Sequence, residues 1–511
     1  MNQPNLRLFC LAATSFAATF LLLPRTVSAD TVTLREVDEV IPTYAAGPPE
    51  PNPMFYFGRD SQGAEGRIYP YPLYDNLTNV RGEKTYHMVY LENQYVKIGI
   101  APEIGGKLLS ALDKSDNYDF IYHQHVIKPS LIGLIGAWIS GGIEWNIPHH
   151  HRASTFLPVQ YRTESNADGS KTIWVGELEV RQQMRWAVGY TLRPGSSVLE
   201  CSVRIINRAP LPNSMLCFAN VAVSVNENYQ VIFPPDTQWV TYHAKRDFAA
   251  WPIASGNYNG TDFGAGTDVS WYKNHPTASS MFAWNYVDDF FAGYDHGREA
   301  GIISVADHHV VPGKKFWTWG SGPRGRAIDD VLTDTDGPYI ELMAGAYSDN
   351  QPDYTWMQPF EERAFQMNWY PFRGIGGVKN ANLEAAVNLE VTNSAAKFGF
   401  CTTREIPRAT VRLKAGDKIV LEENISISPA KPYTKQIAVP AGVDEHDVRA
   451  SLSVNNSELV AYSPLRLTPM PRPAVVTPPP APQDITNDEE LFLTGLRIDQ
   501  FHDPKLDADP Y

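Results

Sequence analysis

The sequence predicts an all-β protein: a large antiparallel β-sandwich, a smaller β-sandwich after it, and a short C-terminal helix. Three observations carry this. Leu199, Cys201, Val203 and Ile205 alternate with Glu200, Ser202, Arg204 and Ile206, the period of two that gives a sheet one buried face. Asp168-Gly169 separates two strand-like runs in the manner of a hairpin turn. Between Tyr95 and about Val391 turn residues recur roughly every ten residues, without long helical periodicity. A chain of 511 residues that is 43% hydrophobic and 20% charged can fill a large core, which excludes wholesale disorder. A formal charge of -14 argues against nucleic acid as a partner, since phosphate binding needs a basic face.

The elements follow in order. Residues 1–29 read as an export signal: Arg7 precedes the apolar run Leu8–Pro24, and Val27-Ser28-Ala29 supplies the small residues for cleavage before Asp30. The mature protein is therefore expected in the periplasm or outside the cell, with no stable membrane insertion, because no other run is long and apolar enough to span a bilayer. Residues 30–85 are a turn-rich opening segment that packs across the next domain. Residues 86–394 form the large sandwich. Residues 395–463 form the smaller one, in which Val411 and Leu413 face Ile419 and Leu421 across Ala415-Gly416-Asp417. Residues 464–484 hold eight prolines and read as a semi-rigid spacer. In 485–511, Thr486 or Asn487 caps a helix from Asp488 to about Phe501, whose Leu491, Leu493, Leu496 and Phe501 cannot bury themselves alone. That helix either docks back on the body or begins a helical array that takes a protein partner. Cys201, Cys217 and Cys401 read as small buried hydrophobes rather than a disulfide or zinc set.

All twelve Trp lie between Trp138 and Trp369, and ten of thirteen His lie between His123 and His309, so the site is expected in mid-chain. The densest motif runs from Trp138 to His151 as WISGGIEWNIPHHH. Its Gly pair permits close backbone approach to a ligand, Trp138 and Trp145 offer stacking faces, and Glu144 with His149, His150 and His151 offers acid, base or metal ligation. Adjacent His side chains diverge, so neither this run nor Asp307-His308-His309 is expected to hold a metal, and no cofactor is expected. Trp271, His275, Trp284 and Asp288 mix aromatics with polar heads, as a sugar cleft requires, and Trp317 with Trp319 adds a platform. Glu341 stands inside the apolar run Tyr-Ile-Glu-Leu-Met, where desolvation raises a carboxyl pKa toward general-acid use. Arg373 is presented by a Gly-Ile-Gly-Gly turn, and His308 is a further substrate contact.

The run Ala101 to Lys114, APEIGGKLLSALDK, resembles the opening of galactose-mutarotase-like β-supersandwich domains. GGIEWNIPHHH at 141–151, VIFPPDTQWVT at 231–241 and YPFRGIGG at 370–377 resemble one uncharacterised bacterial family within that superfamily, often fused to C-terminal tetratricopeptide repeats. The resemblance implies a supersandwich fold and sugar binding, but not one reaction. Mutarotases use a His acid in a His-x-Tyr-Phe-Asn strand and a late Glu base. Here the comparable strand, Cys217-Phe218-Ala219-Asn220-Val221, has no His, and Glu341 matches the late acid. The sequence thus points to an exported carbohydrate-active enzyme, in first place a glycoside hydrolase using Glu144 and Glu341, with His149, His150 and Asp307 orienting substrate or moving protons. The alternatives are a mutarotase-type epimerase and a non-catalytic carbohydrate-binding module.

Overall fold

A computed structural model describes residues 31–51, 68–133, 135–149, 151–351, 353–392, 395–500 and 506–511. The export signal, His150 and Phe501 lie outside the described residues. Two sheets face each other in the large unit. The first has twelve strands: Thr33–Tyr44, Arg81–Glu92, Val96–Ala101, Lys107–Asp113, Ile143–Asn146, Cys217–Ser224, Tyr339–Ala346, Gly313–Thr318, Ser279–Trp284, Trp239–Thr241 and Phe248–Ala250 in spatial order, with Tyr118–Ile121 beside Lys107–Asp113. The second has eight: Tyr229–Ile232, Phe290–Asp295, Ala300–Val305, Glu362–Arg373, Leu199–Asn207, Met184–Leu192, Lys171–Glu179 and Gln160–Ser165. Neighbours in both sheets are antiparallel, and strands distant in sequence are brought side by side, as Tyr339–Ala346 is with Cys217–Ser224.

The core fills the space between the sheets. Ile143, Trp145, Val221, Phe316 and Leu342 of the first meet Val188, Cys201, Val203, Met367 and Trp369 of the second. Trp145 and Trp369 meet edge to face across it, 6.1 Å between ring centres. Alternation then decides the site. The residues between these core positions, Glu144, Asn146, Asn220, Glu341, Lys315 and Trp317, turn to the other face of the twelve-stranded sheet.

The smaller sandwich packs a sheet of Asn380–Ala381, Ala385–Val391, Ala395–Thr402 and Tyr433–Ala438 on one of Lys418–Ile427, Ile406–Ala415, Val448–Val454 and Ser457–Tyr462. Leu413 does face Leu421 across the hairpin. Ala385, Val387 and Leu389 belong to this core, so the unit begins ahead of residue 395, where the composition changes only gradually. Thr33–Tyr44 of the opening segment is the edge strand of the large sheet, fully paired with Arg81–Glu92. Among the described residues between Tyr95 and Val391 one α-helix, Pro323–Leu332, interrupts the strands; at 10 residues it is too short to show a long periodicity. Asn487 caps the C-terminal helix Asp488–Gln500, its Oδ1 accepting the Glu489 N–H at 2.9 Å. Cys201, Cys217 and Cys401 are buried thiols.

Candidate functional site

The register builds the site. One cross-strand row on the outer face of the large sheet runs Glu144, Asn220, Met343, Lys315, Phe282. Two residues along, a second row runs Ala222, Glu341, Trp317, Ser280. A third sets Asn146 beside Phe218 and Gly345. Phe218 lies flat on the sheet because Gly345 has no side chain: a Cβ there would come within 2.2 Å of the ring. Loops and turns cover this face, so its polar residues are buried although they lie outside the sandwich core.

Glu144 is held by three donors or partners. Trp138 Nε1 donates to Oε2 at 2.7 Å, Thr155 Oγ1 donates to Oε1 at 2.7 Å, and His151 Nδ1 lies 3.0 Å from Oε1. Burial alone would raise its pKa, but His151, the charge of Lys107 and the Trp138 bond outweigh it and hold the carboxyl well below the usual carboxylate range. Lys107 is itself buried and fixes the loop above, donating to Ile139 O at 2.6 Å and Gly141 O at 3.0 Å. The Gly141-Gly142 pair serves the same closure and not a ligand: a Cβ on Gly142 would lie 2.0 Å from Leu108 O, so the close approach is to the chain's own backbone.

Glu341 is in the opposite state. It accepts one bond here, from Asn220 Nδ2 at 3.2 Å, and burial together with the negative charge of Glu144 raises its pKa against the pull of His151, Lys315 and Lys107. Diagonally across the next strand, Lys315 Nζ lies 3.1 Å from His243 Nε2 and donates to Gln351 Oε1 at 2.7 Å. Burial pushes its ammonium down to about 7. Around these groups Asn146 Nδ2 and Oδ1, Asn220 Oδ1 and Gln351 Nε2 are buried without a hydrogen-bond partner among the described residues. Unanswered buried amides are costly, and their convergence on one face is what a polyhydroxylated ligand would satisfy. Trp317 and Trp319, edge to face at 5.4 Å, form the half-buried aromatic border, and Trp319 Nε1 donates to Tyr339 Oη at 3.1 Å.

Of the residues read from the sequence, Glu144, Glu341, Trp138, Trp317 and Trp319 come together here. Trp284 stands on the same face toward the sheet edge, with Lys245 Nζ 5.7 Å from its ring centre. His149 lies to one side, its Nε2 3.1 Å from Ser214 O and its ring against Tyr354. Others are elsewhere. Trp145 is a core residue pointing between the sheets, its Nε1 donating to Tyr190 Oη at 2.8 Å, and it cannot reach a ligand on the outer face. His275 is packed on Phe316 with Nε2 2.7 Å from Val269 O, and burial pushes it down to about 4, so it acts as a neutral structural ring. Trp271 bonds Asp268 and lies on His296, beside the second sheet. Arg373 pairs with Asp116 at 3.2 Å and donates to Ser115 O, bracing the turn after Asp113. Asp288, Asp307 and His308 gather near Lys314, on the side of the sheet away from Lys315. There, contrary to the expected divergence, a turn brings one ligand atom each of Asp307, His308 and His309 within 4.8 Å of one another, and His308 Nδ1 lies 2.8 Å from Asp289.

Sequence reasoning offered His151 only as one of three His beside Glu144, and missed Lys107, Asn220, His243, Lys315 and Gln351. A usable signal existed for one of them: in Gly313-Lys-Lys-Phe-Trp-Thr, alternation must turn one of two adjacent lysines toward each face. A separate hollow on the solvent face of the second sheet is lined by Arg162, Glu164, Trp174, Arg185 and Arg204.

A family model described as Domain of unknown function (DUF5107) matches residues 64–371, and one described as YphG-like protein, second domain, matches 380–462. Among solved structures, a TPR-domain containing protein from Parabacteroides distasonis is 25% identical with a TM-score of 0.57, over 67% of this chain and 55% of that one, so the chain spans about half of that protein's length. A putative aldose 1-epimerase from Klebsiella pneumoniae is 12% identical at a TM-score of 0.38, over 56% of this chain and 79% of that one. A galactose mutarotase-like protein from Lactobacillus casei is also 12% identical, at 0.37, over 56% and 99%.

Proposed function

This chain belongs to the family described as Domain of unknown function (DUF5107), and we propose that it is an exported carbohydrate-active enzyme whose reaction is proton transfer on a sugar by Glu341. One observation carries the reading. Glu341 is a buried carboxyl with a raised pKa, set among unanswered amides of Asn146, Asn220 and Gln351 and bordered by Trp317 and Trp319. A carboxyl whose pKa is raised by burial holds its proton more tightly than a solvated acid and can give it up and take it back, which suits general acid and base steps. Amides supply the bonds that hydroxyl rims need, and the indoles supply faces for C–H surfaces. Glu144 is a permanent carboxylate whose oxygens are occupied by Trp138, Thr155 and His151, so it supports Glu341 electrostatically and leaves one acid free to act. That arrangement favours anomeric interconversion or a related proton shuttle.

Glycoside hydrolysis is the second reading, favoured by the opposed shifts of the two acids, which is how paired carboxylates divide acid and charged roles. Proton NMR of anomeric signals, with the purified chain and a glycan panel, separates them. Exchange between anomers supports the first reading, and new reducing ends support the second. Line broadening without either supports a binding module. Retention of either reaction by Glu341→Gln overturns both enzyme readings. Export rests on the Leu8–Pro24 run and the Val27-Ser28-Ala29 site, and N-terminal sequencing of the fractionated protein tests it. The exposed Phe492, Leu493 and Leu496 of the C-terminal helix fit the start of a helical repeat array.

A further inference from the structure

We infer that Lys315 is a nucleophilic residue of this face, its amine attacking the carbonyl carbon of a reducing sugar in the open-chain aldehyde form. The inference rests on the carbohydrate reading above and extends it to the reacting carbon of the substrate. Lys315 Nζ lies 3.1 Å from His243 Nε2, and His243 Nδ1 lies 2.9 Å from Ser280 Oγ. A nucleophile, a base and a third group orienting that base, linked in that order, is the arrangement that activates a weak nucleophile. The rings of Phe282 and Trp317, centred 4.9 and 5.9 Å from Nζ, line the amine's surroundings and keep water from it. Burial moves the ammonium down to about 7, so a neutral amine with a free lone pair is populated near neutral pH.

His243 is placed there at a conformational cost. The two residues after it, Ala244 and Lys245, both have left-handed backbones, φ 57° and 52°, without being glycine. The turn is fastened by the Ala244 N–H, which donates to Gln351 O at 2.9 Å and Asn350 Oδ1 at 2.7 Å. The loop that fixes His243 therefore also supplies Gln351 Oε1, the second partner of Lys315. Strain of this kind persists where surrounding structure imposes it, and here it sets both partners of one amine.

The chemistry balances without a redox partner. The neutral amine forms a bond to C1 while the carbonyl electron pair moves to oxygen, and His243 takes a proton from the nitrogen and returns it to that oxygen. Glu341, protonated, then gives its proton to the hydroxyl of the carbinolamine. Water leaves, the nitrogen lone pair closes the C=N bond, and a protonated imine remains with Glu341 as carboxylate. Addition of water in the reverse sequence releases the aldehyde.

The test is reductive trapping on the full chain. The protein is incubated at pH 7 with D-galactose, D-glucose or glyceraldehyde and sodium cyanoborohydride, which reduces an imine to a stable secondary amine, and labelled lysines are mapped by peptide mass spectrometry. Lys315 is expected to label about ten-fold or more faster than the exposed Lys418. In His243→Gln the Lys315 rate should fall toward that of Lys418, whose own rate should not change. Labelling of exposed lysines with Lys315 untouched overturns the inference, as does undiminished labelling of Lys315 in His243→Gln. Labelling of Lys315 by glyceraldehyde but by neither hexose supports the nucleophile and counts against the carbohydrate reading. Hexose binding seen by NMR with Lys315 unlabelled overturns the nucleophile and leaves that reading standing.

Discussion

Replacing Glu144 by Gln should cost stability and alter its dependence on pH in a way that follows from the three contacts on its carboxylate. Gln keeps the size and one acceptor oxygen. Its NH₂ group, however, cannot accept, so either the Trp138 Nε1–H at 2.7 Å loses its bond or Thr155 and His151 must both turn from donors to acceptors, and Lys107 loses a nearby opposite charge. Breaking a buried charged network by removing one partner costs about 3 to 5 kcal/mol. At about 1.5 °C per kcal/mol for a cooperative unit of about 300 residues, the melting temperature at pH 7 should drop by at least about 4 °C. The sign of the pH term is fixed by direction. Because the folded pKa of Glu144 is depressed, its contribution is present above the unfolded value, about 4.3, and is lost as pH falls toward the folded value. Wild type should therefore lose stability on acidification below about pH 4.3 more steeply than Glu144→Gln, and the two melting curves should converge in acid. Differential scanning calorimetry at pH 7, 5 and 3.5 reads both effects. A drop under about 2 °C at pH 7, or a gap that widens in acid, would refute the account of Glu144 as a charged anchor.

Glu341 has the opposite sign. With a raised folded pKa, its burial is least costly below the unfolded value and increasingly unfavourable as pH rises through the folded one, so Glu341→Gln should melt no lower than wild type at pH 8 while losing about 10²- to 10⁴-fold in turnover, checked by calorimetry beside the NMR assay. Trp145→Ala should remove about 3 to 5 kcal/mol of stability because it empties the centre of the sandwich, whereas Trp317→Ala should spare the fold and weaken oligosaccharide binding about ten-fold, as urea melts and fluorescence titration would distinguish. His275→Gln should leave the pH profile of turnover unmoved, since its ring is neutral and packed away from Glu341.

What the sequence disclosed about the site came from local contrast. Glu341 stood out because an acid interrupts an apolar strand, and Glu144 because Trp and Gly flank it; both do lie on one sheet face. Trp145 was misread for the same reason that Glu144 was read correctly: in a strand, neighbours point to opposite sides, so one motif supplies core and site in turn. His275 failed because a buried imidazole bonded to a backbone carbonyl has the same letters around it as a catalytic one. His243, Asn220 and Gln351 carried no contrast at all. Their role comes from cross-strand register between Cys217–Ser224, Tyr339–Ala346 and Gly313–Thr318, which lie far apart in the chain, and from a turn whose left-handed residues, Ala244 and Lys245, are not the glycines that normally announce such geometry.

The proline segment shows how a compositional reading can find a segment and misjudge its work. Residues 464–482 look like a spacer, yet they are fastened to the rim of the site. Gln238 Nε2 donates to Thr468 O at 2.9 Å, Trp239 Nε1 to Met470 O at 3.1 Å, and Arg472 pairs with Asp247 at 2.9 Å. The Val476 N–H donates to Lys245 O at 2.9 Å, on the turn that aims His243 at Lys315. Prolines suit this task because an extended chain that is already stiff loses little entropy on docking, and its missing N–H groups leave nothing unpaired along the sheet edge. A segment that is cheap to order and bonded to a strained turn is a natural brace for it. The strain at Ala244 and Lys245 is therefore balanced from two sides, by Asn350 and Gln351 within the sandwich and by the proline segment outside it.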